Sequence, residues 1–117
     1  SNTVDAQAVY ESSMSLWATV MSHANLVNHA AGWLESGLTA SFEKLIIDAE
    51  MLQIMSESLK PIEINTENLG VETIKSVGPG GHFFATDQTM DYYATEFYTP
   101  MISDWNNFEN WEKNYHL

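Results

Sequence analysis

Residues 39–59, TASFEKLIIDAEMLQIMSESL, constrain the chain more than any other stretch. They read as a helix capped by Thr39 or Ser41 and stopped at Lys60-Pro61. Phe42, Leu45, Ile46, Ala49, Leu52 and Gln53 define one side, and Ile47, Met51 and Met55 widen the apolar surface. A surface helix of a small domain needs only one apolar stripe. A wider surface calls for burial on more than one side, or for a partner. The chain has 117 residues, material for one domain at most and one modest core.

The remaining segments are mostly helical in pattern. Asp5 can cap a helix to about Ser22, with Val9, Leu16, Trp17, Val20 and Met21 on one stripe. Leu26–Ala31 has the length of a buried strand and could equally extend a helix. Gly32 and Gly37 bracket Trp33-Leu34-Glu35-Ser36, which reads as a loop. Asn65 or Thr66 caps a shorter helix to about Val77, with Leu69 and Ile74 inward and Gly70 as its weak point. Gly78-Pro79-Gly80-Gly81 breaks the chain. Thr86 or Asp87 caps a helix carrying Met90, Tyr93, Ala94 and Phe97, ended near Pro100. Ser103 or Asp104 starts a last helix with Trp105, Phe108 and Trp111. The fold class is therefore mainly α, with at most one short strand.

Charge removes several functions. Sixteen acids face four bases, Lys44, Lys60, Lys75 and Lys113, for a formal charge of −12. A nucleic-acid binder needs a basic footprint, and this chain has none. An anionic membrane surface would repel it, and no apolar run is long enough to span a bilayer. With no cysteine, thiolate zinc sites and cysteine nucleophiles are excluded. A reducing cytoplasm fits that composition. The chain starts Ser1-Asn2 without methionine, so residues 1–2 read as the remnant of an expression tag.

No catalytic residue can be named from the chemistry-bearing side chains. Consecutive glycine N–H groups in Gly78–His82 could face an anion, but the lysine and spacing of a P-loop are missing. A tight connection between helices is the commoner reading, with His82 fixing the loop. His23 and His29 lack metal-site spacing, so no metal is expected. Asp48 and Glu50 lie on successive helix faces and cannot share a substrate. Glu35 lies in the segment between two glycines and could line a site, although a lone loop glutamate is usually solvated. Ten of the fourteen aromatics lie after residue 82. They could cage a cationic ligand, but at helical spacing they are more often packing anchors.

Two stretches carry a resemblance to a known family. The first is Gly32-Trp33-Leu34-Glu35-Ser36-Gly37-Leu38-Thr39-Ala40-Ser41-Phe42-Glu43-Lys44, continuing to Asp48-Ala49-Glu50. The second is Gly78-Pro79-Gly80-Gly81-His82-Phe83, followed by Glu96-Phe97-Tyr98 and Asn107-Phe108-Glu109-Asn110-Trp111. Together with Asp5-Ala6-Gln7-Ala8 they resemble the C-terminal end of the trimethylamine methyltransferase family, over nearly the whole chain.

The resemblance implies a TIM-type (β/α)8 barrel enzyme of which this chain is a helical C-terminal fragment. Residues 5–59 would be a late barrel βα segment, with Leu26–Ala31 as its strand, and residues 60–117 a helical extension. It implies methyl transfer from a methylated amine (trimethylamine, or a quaternary amine such as glycine betaine) to a corrinoid carried by a separate partner protein, the chemistry of methylamine metabolism and methanogenesis. The fragment itself would bind no cofactor and be inactive, because a barrel site is assembled from the loops of many strands. The loop after Leu26–Ala31 would then sit at the active face. That makes Trp33 and Glu35 the first candidates for substrate or cofactor contacts, followed by Gly80, Gly81 and His82. Freed from neighbours, the wide apolar helix would drive homo-oligomerisation. The competing reading is a small acidic helical module that binds a partner protein, supported by the charge, the aromatic tail and the same helix.

Overall fold

The computed structural model describes residues 1–115. Asp5 opens the first helix: its carboxylate accepts from the Ala8 N–H at 2.9 Å, and α1 runs Ala6–Met21. Ala8 and Leu16 are buried on it, and Val9, Trp17 and Val20 are half-buried; of the expected stripe only Met21, at the last turn, stands exposed. Ser22 and His23 close it by donating to Ala18 O and Val20 O, and His23 turns the chain with φ 58°.

Leu26–Ala31 is neither strand nor helix; turns and irregular backbone fill 22–32. Left-handed residues at His23 and His29 bend the chain on both sides of Leu26, and among the described residues no strand pairs with it to supply ladder bonds. The sheet forms one step later, in the segment read as a loop. β1 (Trp33–Leu34) pairs antiparallel with β2 (Thr39–Ala40), Trp33 opposite Ala40 and Leu34 opposite Thr39. A 3-10 turn, Glu35–Gly37, joins them. The expected limit of one short strand is thus corrected to two of two residues each, while the chain remains mostly helical.

α2 spans Phe42–Ser58. Of the two expected caps, Ser41 is the one used: its hydroxyl accepts from the Lys44 N–H at 3.2 Å and donates to Glu43 at 2.7 Å, while Thr39 belongs to β2. The buried face of α2 overturns the pattern. Lys44, Asp48, Glu50 and Met55 are buried, whereas Phe42, Leu45 and Ile46 are exposed. Hydrophobic spacing locates an apolar side but cannot see that charged residues turn inward once each finds a partner.

Two units divide the chain. The first comprises Ser1–Ser58 together with the segment from Pro100 onward, and the second is Leu59–Thr99. In the first, Glu50 accepts from the Met101 N–H at 2.7 Å and from the Ser103 hydroxyl at 3.0 Å, docking the later segment on α2. The last helix begins at Phe108, not at Ser103 or Asp104. Asn107 caps it by accepting from Asn110 N, and Asp104 is spent on a local turn with Asn106. It runs to Tyr115 as α5, with Trp111 against Phe108 and Tyr115 at 5.9 Å each. Trp105 stays outside it.

In the second unit the helix expected from Asn65 starts later. Asn65 does accept from Asn68 N, but Gly70 takes φ 60° and breaks the turn, so α3 is only Val71–Val77. α4 is Asp87–Tyr92, capped by Thr86 rather than Asp87, and ends before Phe97. Glu67 ties the unit together: its carbonyl accepts from Gln88 and its carboxylate from the Tyr92 hydroxyl at 2.6 Å. No described residue of this unit is buried, so Leu69 and Ile74 do not form the inner face expected of them. Among the described residues, no helix is long and apolar enough to cross a membrane.

Candidate functional site

The Gly32–Gly37 hairpin is held by a buried polar knot. The Gly32 N–H donates to one oxygen of Asp48 at 2.9 Å. The other oxygen of Asp48 is paired with the Lys44 ammonium, one helical turn away. Lys44 also donates to the Ser12 hydroxyl of α1 at 2.7 Å. Lys44 is 1% exposed and Asp48 2%, the largest of the fully buried side chains described. No buried side-chain polar atom in the described residues lacks a hydrogen-bond partner. The arrangement satisfies what burial of a charge pair demands.

From Gly32 the hairpin is set on both sides, since Gly32 O accepts from Ser41 N at 2.9 Å. Gly32 has φ 80°, and a Cβ there would meet Leu45 Cβ at 3.3 Å, so the site favours glycine. Two non-glycine residues at the tip are left-handed, Glu35 (φ 49°) and Ser36 (φ 57°). Such a backbone costs about 1–3 kcal/mol per residue and persists only where the surroundings impose it. Glu35 accepts from the Thr39 hydroxyl at 2.7 Å, and its N–H donates to Ser1 O at 2.9 Å.

This hairpin forms one wall of a cleft of about 430 Å³ between it and α1. Trp33 and Glu35 both line it, with Glu11, Ser12 and His29 among the others. The His29 ring packs on Trp33 with centroids 5.0 Å apart. Glu11 is held below the usual carboxylate range by hydrogen bonds from the Ser1 amino group and Gln7. Burial pushes Glu50 up, but donors from Met101 and Ser103 outweigh it and hold that carboxyl down as well.

Gly80, Gly81 and His82 belong to the second unit and are not among the residues lining the cleft. Their loop uses its own donors. Gly78 N donates to Ile74 O at 3.1 Å to end α3, and Gly81 N donates to Gly78 O at 3.4 Å. Gly81 touches Val77 so closely that a Cβ would lie 2.6 Å from its Cγ1. The His82 ring lies 6.0 Å from Phe84. These contacts describe a tight connection. Among the described residues, no group of three or more His, Cys, Asp or Glu side chains could hold a metal ion.

Lys44, Asp48, Ser12 and His29 were not singled out as parts of a site by the sequence. The i,i+4 spacing of Lys44 and Asp48 was the available signal, and it ordinarily marks a solvated surface pair.

The family model for trimethylamine methyltransferase (MTTB) matches residues 1–116. The chain belongs to the trimethylamine methyltransferase family. Within it, the chain is 39% identical over 113 residues to the glycine betaine methyltransferase of Desulfitobacterium hafniense (strain Y51), covering 97% of this chain and 24% of that protein. It is 36% identical over 110 residues to the trimethylamine methyltransferase MttB of Methanosarcina barkeri (strain Fusaro), covering 92% and 21%. Against the MttB of Desulfitobacterium hafniense (strain DCB-2) the identity is 34% over 107 residues, with the same coverage. The chain thus spans less than a quarter of the length of these methyltransferases.

Proposed function

We propose that this chain is the closing segment of a barrel methyltransferase that moves a methyl group from a methylated amine to the corrinoid of a separate protein in the cytoplasm. The observation that carries it is the 39% identity to a glycine betaine methyltransferase across nearly all of this chain. Residues 5–59 are then the late barrel segment and residues 60–117 its helical extension. The N–CH3 bonding pair would stay with the departing amine, the substrate being an ammonium (quaternary, or protonated trimethylamine), and the partner protein's corrinoid would supply the electron pair of the new bond to the methyl group.

On this reading the cleft beside the hairpin holds the amine. Its volume lies in the range of small-ligand sites. The face of Trp33 attracts a methylated ammonium group, and the Glu35 carboxylate adds opposite charge. These two side chains bind and orient the substrate. The corrinoid stays on its own protein as the acceptor, and no residue here is assigned to hold it. Gly80, Gly81 and His82 are kept as a lesser contact surface for substrate or acceptor.

The 117-residue chain alone is inactive on this view and associates with itself through α2, whose Phe42, Leu45 and Ile46 stand in solvent. The decisive experiment expresses the full reading frame that contains this segment. It is mixed with its corrinoid protein and assayed against trimethylamine and glycine betaine by the visible spectrum of the corrinoid. Methyl transfer is expected from at least one amine by the full-length protein and from neither by the 117-residue chain. Transfer by the short chain, or none by the long one, overturns the reading.

A further inference from the structure

We propose that Asp48 is a positioning residue: one of its carboxylate oxygens is fixed by Lys44 and the other fixes the Gly32 peptide, so the hairpin presents Trp33 and Glu35 to the cleft. This rests on the reading of that cleft as the amine site.

Four observations carry it. Asp48 uses each oxygen on a different element, Lys44 within α2 and Gly32 at the base of the hairpin. Lys44 in turn reaches Ser12 on α1, so one buried network joins α1, α2 and the hairpin. The anchored residue is the one preceding Trp33, so its orientation sets where the indole starts. The hairpin tip is left-handed at two consecutive non-glycine residues, a conformation that two strands of two residues each are too short to impose alone. A solvent-facing pair would suffice for helix stability alone. Burial of one pair at the junction of three elements costs desolvation that a leucine would avoid, and it supplies a directed acceptor for a backbone N–H.

Asparagine at 48 presents one acceptor where two donors wait, so it cannot serve Lys44 and Gly32 together. In the 117-residue chain, Asp48→Asn is expected to speed amide hydrogen exchange at Gly32 and Ser41 tenfold or more relative to mid-helix amides of α2. In the full-length enzyme of the proposed function, it is expected to raise KM for trimethylamine or glycine betaine about tenfold with kcat within twofold. Met55→Ala, which opens a cavity on α2 at a buried residue that does not line the cleft, is expected to lower Tm but leave KM within twofold. Ser12→Ala keeps both charges and gives the same pattern in milder form, with a threefold or larger rise in exchange at Gly32, should Asp48→Asn fail to fold.

Unchanged exchange at Gly32 in both Asp48→Asn and Ser12→Ala overturns the proposal. So does a KM rise in Met55→Ala equal to that in Asp48→Asn. If the wild-type full-length protein transfers no methyl group, the functional reading falls, and the exchange data still decide whether Asp48 positions the hairpin.

Discussion

At the scale of single residues, burial and charge disagree with hydropathy. Lys44 and Asp48 are inside, while Phe42, one of the most apolar residues of the same helix, is 85% exposed. Removing one member of a buried pair strands the other. Lys44→Met is expected to cost about 3–5 kcal/mol in urea unfolding, and Lys44→Met with Asp48→Leu together to recover only part of it, because the buried Gly32 N–H then loses its acceptor. Carboxylates held low by their hydrogen bonds add to the acid limb of stability, Glu11 and Glu50 among them. Glu11 and Glu50 titrate in the folded chain below the ordinary glutamate value of 4.5. Their contribution is therefore complete above that value and is lost as pH falls through the depressed folded values. Glu50→Gln should flatten that part of a Tm-versus-pH curve below pH 4.5 and leave the neutral region changed only by a constant offset. Tyr92 runs the other way. Its hydrogen bond to Glu67, with desolvation and nearby acids, raises it above 10.0, so its contribution is lost only as pH climbs through the raised value.

At the scale of elements, local chemistry was legible and tertiary choice was not. Asp5, Ser41 and Thr86 start helices as their side chains dictate, and Gly78 ends one. Ser41→Ala is expected to cost about 0.5–2 kcal/mol, read from chemical denaturation, since Lys44 N loses its cap acceptor. The helix from Asn65 failed at Gly70, whose left-handed φ no propensity scale assigns. Gly70→Ala should destabilise the second unit, because a Cβ there meets Gln88 at 2.9 Å in a conformation alanine resists. Loss of Gln88 and Glu67 resonances in their native positions would report it. Leu26–Ala31, open to strand or helix on its residues and a strand by the resemblance, forms neither, because six residues interrupted by Asn28 and His29 carry no periodicity that decides their state. The hairpin that did form has strands of two residues, below the length at which alternation can be read. Of the candidate site residues, Trp33 and Glu35 came from the family resemblance, by way of a strand at Leu26–Ala31 that does not form, and both line one cleft. The sequence could not supply Asp48, whose role depends on a backbone N–H sixteen positions earlier.

At the scale of the molecule, the first unit holds every buried residue described, and the second holds none. Apolar area left in water on α2 is the larger consequence. Phe42→Glu with Ile46→Glu is expected to shift the 117-residue chain from an associated state to monomer in sedimentation velocity, with the far-UV spectrum unchanged. A monomer in the unsubstituted chain at high concentration argues against association through α2. The buried lysine also gives the chain a chemical clock. Lys60, Lys75 and Lys113 are open to an amine-acylating reagent, whereas the Lys44 nitrogen is enclosed. Acylation of Lys44 must wait until α1 and α2 part. Its slow rate, read by peptide mass, therefore counts how often the junction of three elements opens, without any probe being added to the protein.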